Sequence, residues 1–242
     1  MWQVIFLIIV KTKKQVLGTV LSIFLGISVG AILHFSFIAD TFSGNKAQKT
    51  IVIDAGHGLP DGGTVGVSGV IEQEINLKIA KKVEEILKGK GYITVMTRPG
   101  EDSIARDDSL SIREMKIRDM KKRKELIKES DADLFLSIHM NSYPDPKVSG
   151  LRVFYSAKHE KIKGLAEDIQ KKISKITGAK TYAVKTADRD LFLMKDPPIP
   201  AILVECGFLS NPSEEKKLSD EEYQAKIAWA IADSIEKGLS IR

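Results

Sequence analysis

The sequence predicts an α/β fold: an open, mostly parallel, twisted sheet with helices on both faces, preceded by one N-terminal transmembrane helix. Three observations predict it. From Ile51 onward short apolar runs alternate with longer segments of helical period, the pattern of strands and helices layered on one another. The 242 residues are 43% hydrophobic and 29% charged, enough for one sizeable core and one domain. From Gln15 to Ala39 no Asp, Glu, Lys or Arg interrupts the chain.

That uncharged run comes first in chain order. Twenty-five helical residues span roughly 37 Å, enough to cross a bilayer with some tilt. Lys11, Lys13 and Lys14 precede it, and the positive-inside tendency keeps them cytoplasmic. Residues 1–14 are therefore expected as a short cytoplasmic N-terminus, 15–39 as a transmembrane anchor, and 40–49 as a polar linker. A single extracytoplasmic domain is expected over 50–242. A cleaved signal peptide is the competing reading. It is disfavoured because no small-x-small site follows the run, which is also long for an h-region.

Within the domain Ile51–Ile53, Tyr92–Met96, Leu134–Ile138, Leu151–Tyr155 and Ala201–Val204 read as strands. Ile75, Ile79, Val83 and Ile86 mark the apolar face of a helix that Gly89 and Gly91 end. Ile162, Leu165, Ile169 and Ile173 mark another, and Tyr223, Ile227, Ile231 and Ile235 a third. Ile112–Ser130 is helical in pattern with a basic outer face: Arg113, Lys116, Arg118, Lys121, Lys122, Arg123, Lys124 and Lys128. Asp119, Glu125 and Glu129 sit near enough for i,i+4 pairs, so the plain reading is a solvated face. The alternative is a docking surface for an anionic partner.

Charge and cysteine content exclude several classes. Beyond the three N-terminal lysines, 34 basic and 32 acidic residues remain, a net charge of only +2. That is no nucleic-acid footprint. The single cysteine, Cys206, rules out an intramolecular disulfide and a multi-cysteine zinc knot.

Two of the four histidines occupy equivalent places. His57 follows the first strand inside Ala55-Gly-His-Gly58, and His139 closes Leu134-Phe-Leu-Ser-Ile138. Ligands of open α/β sheets bind beyond the carboxyl ends of strands, so both imidazoles would face one crevice. Glu205 follows four apolar residues, where a carboxylate is costly to bury without a partner. Glu72 lies just before a helix beginning near Glu74 and would return a loop to the same crevice. Two histidines and one carboxylate leave an open position on a tetrahedral zinc, the arrangement of a hydrolytic site. A second, unligated carboxylate is then wanted to move protons between water and a departing amine. Taken singly, a strand-end histidine reads more simply as a structural residue.

Four stretches together resemble the zinc-dependent N-acetylmuramoyl-L-alanine amidases of the amidase-3 family. They are Ile53-Asp-Ala-Gly-His-Gly58, Gly69-Val-Ile-Glu-Gln-Glu-Ile-Asn-Leu77, Ser137-Ile-His-Met-Asn-Ser142 and Leu203-Val-Glu-Cys-Gly-Phe-Leu-Ser-Asn-Pro212. Their order and spacing match from about Thr50 to the C-terminus. The resemblance implies one Zn2+ per chain held by His57, Glu72 and His139, with Glu205 as the catalytic glutamate. It also implies cleavage of the muramyl-alanine amide of peptidoglycan. Asn141 and Lys195 are implied as substrate contacts. Lys195 stands where the family often has arginine, and so lacks a planar fork for a carboxylate; Ala55 and Met140 also depart from the usual pattern. Asp54 is expected to brace the histidine loop, Cys206 to be a buried small residue, and His159 to lie on the surface.

Within the family, the short domain, single anchor and basic helix resemble the germination-specific amidases of spore formers, which prepare cortex peptidoglycan for muramic lactam formation. Only 65 residues separate His139 from Glu205, and the strand and helix read there leave no room for a plugging helix. Control then falls to expression, metal loading or an activating protein partner. A zinc peptidase acting on cell-wall peptides and an inactive membrane-anchored wall-binding protein are the alternative readings.

Overall fold

The computed structural model describes residues 48–187 and 191–240. The expected anchor at 15–39 and the cytoplasmic N-terminus lie outside the described residues. Among the described residues no helix is long and apolar enough to cross a membrane.

The elements run β1 (Thr50–Ala55), α1 (Glu72–Gly89), β2 (Ile93–Met96), α2 (Ile112–Glu129), β3 (Leu134–Asn141) and β4 (Arg152–Tyr155). A 3-10 turn (Ala157–Ile162) leads into α3 (Lys163–Thr177), followed by β5 (Lys185–Thr186), β6 (Ala201–Phe208), α4 (Pro212–Leu218) and α5 (Glu221–Ser240). The sheet order is β2-β1-β3-β6-β4-β5. Every pairing is parallel except that of β4 with β6.

Strand alternation sorts the core onto two faces. Leu134, Leu136, Ile138 and Met140 of β3 enter the larger cluster with α1, α3 and α5, while Phe135 enters a smaller one with Ile127 of α2. Helices thus cover both faces as expected, but unequally. Four contribute to one side, with α5 against both α1 and α3 and α4 adding Leu218. On the other, α2 shares the cover with Leu191, Leu193 and Met194. Fully buried Ile53, Leu136 and Ile202 each contribute roughly 1.5–3 kcal/mol by leaving water. Ser137, His139 and Asn141 have the parity of Phe135, so they face the more thinly covered side.

Several expected boundaries move. β3 runs on to Asn141 and β6 to Phe208 because these central strands pair with each other along their length, so His139 and Glu205 lie within strands and not at their ends. The register shifts after His139, where β6 places two residues, Cys206 and Gly207, against the single Met140. This bulge returns Phe208 to the face of Asn141. α1 begins at Glu72, two residues before the expected Glu74. Loop carbonyls satisfy its first amides: Glu72 N donates to Thr64 O at 2.9 Å and Gln73 N to Gly62 O at 3.0 Å.

Candidate active site

The chain places β2 on one side of β1, then returns to lay β3 on the other. Connections leaving in opposite directions put α1 and α2 on opposite faces, which opens a crevice at the carboxyl ends of β1 and β3.

His57 sits two residues beyond β1 with φ 61°. For a residue bearing a Cβ this region costs about 1–3 kcal/mol and needs outside support. Two buried arginines supply it. Arg98 Nε donates to Ala55 O at 2.8 Å and its Nη2 to Gly56 O at 3.0 Å. Arg123 Nη1 donates to Ala55 O at 2.9 Å and its Nη2 to His57 O. Three successive carbonyls of the loop are therefore gripped by guanidinium groups. Gly56 is required by close approach, since a Cβ there would lie 2.2 Å from the His139 ring.

Glu72, the first residue of α1, reaches both histidines. Its Oε1 lies 3.3 Å from His57 Nε2 and 3.1 Å from His139 Nδ1. Oε1 also accepts from Met140 N at 3.1 Å, and Oε2 from Thr64 N at 2.9 Å. One donor atom from each of His57, Glu72 and His139 lies within 4.8 Å of the others. Ligands at 2.0–2.1 Å from a tetrahedral ion stand about 3.3 Å apart, so these spacings suit a small divalent metal. At Gly63 a Cβ would lie 2.6 Å from Glu72 Oε2 and 2.7 Å from the His57 ring, so the cradle closes only around glycine.

Behind His57 stands a carboxylate. His57 Nδ1 donates to Asp61 Oδ2 at 3.0 Å, and Lys116 Nζ reaches the same oxygen at 3.0 Å. This bond fixes the tautomer that presents Nε2 to the crevice. Burial alone would lower the His57 pKa, but hydrogen bonds and charge from Asp61 and Glu72 push it up to about 9. Burial works to raise the Glu72 carboxyl, yet the two imidazoles hold it well below the usual range. The negative charge of Asp61 and Glu72 that causes these shifts would also favour a metal cation between the histidines, in competition with the proton. Replacing Asp61 with Ala is expected to weaken metal affinity about 10-fold to 100-fold, read by chelator competition. Unchanged affinity would remove Asp61 from this role.

Under the site lies a polar layer. Asp54 accepts from Thr97 Oγ1 at 2.7 Å, Ser137 Oγ at 2.6 Å and Arg123 Nη1 at 2.6 Å. Asp54 thus braces the histidine loop as expected, but through Arg123. Arg123 itself departs from expectation. It is fully buried and paired with Asp119 at 2.7 Å, not part of a solvated face. The loop carbonyls and two carboxylates it satisfies keep it inside.

Glu205 lies on β6 in register with His139 of β3. The residue is half-buried, and its Oε2 is enclosed without a hydrogen-bond partner among the described residues. Burial pushes its carboxyl up to about 7, with the nearby His139 opposing and Glu72 reinforcing the shift. Cys206 next to it is buried, and desolvation raises its thiol well above the ordinary range, so it is no nucleophile. Asn141 shares the His139 face, and its Oδ1 accepts from Ser142 N at 2.8 Å. Lys195 is exposed at the end of the Leu191–Met194 turn, without a side-chain hydrogen bond to any described residue. Glu74 is exposed on α1. His159 is half-buried with Nε2 3.2 Å from Pro197 O, more enclosed than the charged segment around it implied.

Sequence reasoning missed Asp61, Arg98 and the inward turn of Arg123. A signal existed for Arg98, which follows strand β2 as Glu205 follows its apolar run and is just as costly to bury alone.

Comparison with known proteins agrees with this geometry. Residues 51–237 match the family described as N-acetylmuramoyl-L-alanine amidase. The chain is 36% identical over 187 residues to the germination-specific N-acetylmuramoyl-L-alanine amidase of Bacillus subtilis, covering 77% of this chain and 78% of that one. It is similar to the CwlD amidase of Clostridioides difficile, solved in complex with the GerS lipoprotein, with TM-score 0.76 and 38% identity over 81% of this chain and 100% of that one. It is also similar to the catalytic domain of CwlV from Bacillus (Paenibacillus) polymyxa var. colistinus, with TM-score 0.69 and 32% identity over 81% and 100%. With the His-Glu-His cluster at the switch point of its sheet, the chain belongs to the amidase-3 family of N-acetylmuramoyl-L-alanine amidases.

Proposed function

We propose that this amidase is zinc-dependent, is anchored by residues 15–39 with its domain outside the cytoplasm, and acts on spore-cortex peptidoglycan to prepare muramic lactam formation. The observation that carries the chemistry is the meeting of His57, Glu72 and His139 with Glu205 one strand away, whose Oε2 has no hydrogen-bond partner among the described residues. Similarity to the germination-specific relative supports the cortex role. The CwlD complex with GerS supports a protein partner, to which we assign activation.

His57, Glu72 and His139 would hold the ion. When bound, zinc supplies a Lewis acid for the amide carbonyl and acidifies water. Glu205 accepts the proton of the water that attacks the lactyl carbonyl carbon. As the carbon–nitrogen bond breaks, the same carboxyl returns that proton to the departing L-alanine amine. Its raised pKa suits both halves, because the group takes and gives a proton near neutrality. Asp61 keeps Nε2 of His57 toward the metal, while Asn141 and Lys195 are assigned to the substrate.

Incubating the full chain in detergent with intact peptidoglycan is the test. Free N-terminal L-alanine should appear, vanish with a chelator and return with zinc. Cleavage between stem-peptide residues would mark a peptidase instead. Sedimentation at full length with membranes tests the anchor, and an N-terminus beginning after Ala39 would replace it with a signal peptide.

A further inference from the structure

Arg152 opens β4 in antiparallel register with Glu205. Val153 enters the larger core cluster and Phe154 packs on the smaller, so Arg152 shares the face of Glu205 and His139. Its guanidinium carbon lies 4.5 Å from the Tyr182 ring centroid and 5.3 Å from that of Phe208. The stack is built into the fold. Leu151 N donates to Lys180 O at 2.7 Å, which pins the Tyr182 segment beside β4. Glu214 accepts from both Gly150 N and Phe208 N at 2.8 Å, clamping the two strands that carry the arginine and the second ring.

A guanidinium so held ordinarily has an acceptor. Among the described residues Arg152 has none: Nε is buried without a partner, and no ion pair joins it to Glu205. The two rings hold the guanidinium in place, while its terminal nitrogens donate to no described residue. The half-buried side chain lies close enough to Glu205 to lower its pKa. A planar cation with free donors matches a carboxylate in two-point contact.

Resting on the amidase reading above, we infer that Arg152 is a specificity residue that binds a stem-peptide carboxylate about three residues along the stem from the scissile amide. The peptide side is favoured by substrate chemistry, since the lactyl carboxyl is consumed in the amide and the acetylated sugars are neutral. From β3 to β4 is two strand spacings, about 10 Å. An extended stem covers that distance in about three residues.

The test uses glycan strands bearing stem peptides, with carboxylates either free or capped as primary amides. Wild-type full chain should favour the free carboxylates by roughly 10-fold to 100-fold in kcat/KM, the scale of a charged hydrogen bond. Arg152→Met should erase that preference, chiefly through KM, and shift the pH profile of kcat upward as Glu205 loses a neighbouring positive charge. Arg152→Lys, which keeps the charge but loses the fork, should fall between. If Arg152→Met fails to fold, the wild-type comparison and Arg152→Lys still decide. Equal turnover of both substrates by the wild type, or preference surviving in a folded Arg152→Met, overturns the inference and leaves the amidase reading intact. A wild type that cleaves neither overturns both.

Discussion

Replacing Glu205 with Gln is expected to lower turnover about 100-fold to 10,000-fold, the usual contribution of a positioned general base, while zinc stays near wild-type occupancy. The substitution keeps size and shape but cannot carry the proton. Metal should remain because the cluster that holds it is His57, Glu72 and His139, to which Glu205 does not belong. Glu72→Gln gives the contrasting result. It removes the charge that both imidazoles face at 3.3 and 3.1 Å, so metal affinity falls and added zinc restores part of the activity. Both variants are compared on intact peptidoglycan with zinc measured in the same samples. Loss of metal from Glu205→Gln, or ordinary turnover in it, would reverse the roles assigned to the two glutamates.

How much of this was legible before the structure depends on which physical rule governed each residue. The helix faces at Ile75, Ile79 and Val83 of α1 and at Leu165, Ile169 and Ile173 of α3 were readable because burial follows period. The candidate ligands were readable from histidines at apolar strands and from the family resemblance. The reach of β3 and β6 past His139 and Glu205 was not, because it depends on two strands distant in sequence pairing with each other. Nor was Arg123, since local spacing cannot distinguish an arginine pointing to water from one aimed at Asp54, 69 residues away. Asp61 was hidden for another reason. Its partner is four residues off in an irregular loop, where no repeating local pattern announces that ring and carboxylate meet.

Arg123 also carries the largest expected effect on stability. Its guanidinium is fully buried and serves Asp54, Asp119 and the carbonyls of Ala55 and His57. Arg123→Met fills much of the volume but leaves two carboxylates without their cation. Breaking a buried pair from one side costs about 3–5 kcal/mol. For a domain of this size that lowers the melting midpoint by roughly 6–20 °C. Lys121→Met, on the exposed side of α2, should stay within about 0.5 kcal/mol of wild type. The pH dependence has a definite sign. In the wild type burial tends to raise the Asp54 carboxyl, but Arg123, His139 and two hydroxyl donors hold it below its ordinary value. That stabilisation is present at neutral pH and lost as pH falls through the folded-state pKa. Without Arg123 the buried carboxylate favours its neutral form, so acid relieves the variant. The gap between the two proteins should therefore narrow as pH drops toward about 4. A melting midpoint for Arg123→Met that matches Lys121→Met, or a gap that widens in acid, would show that the loop bearing His57 is held by Arg98 alone.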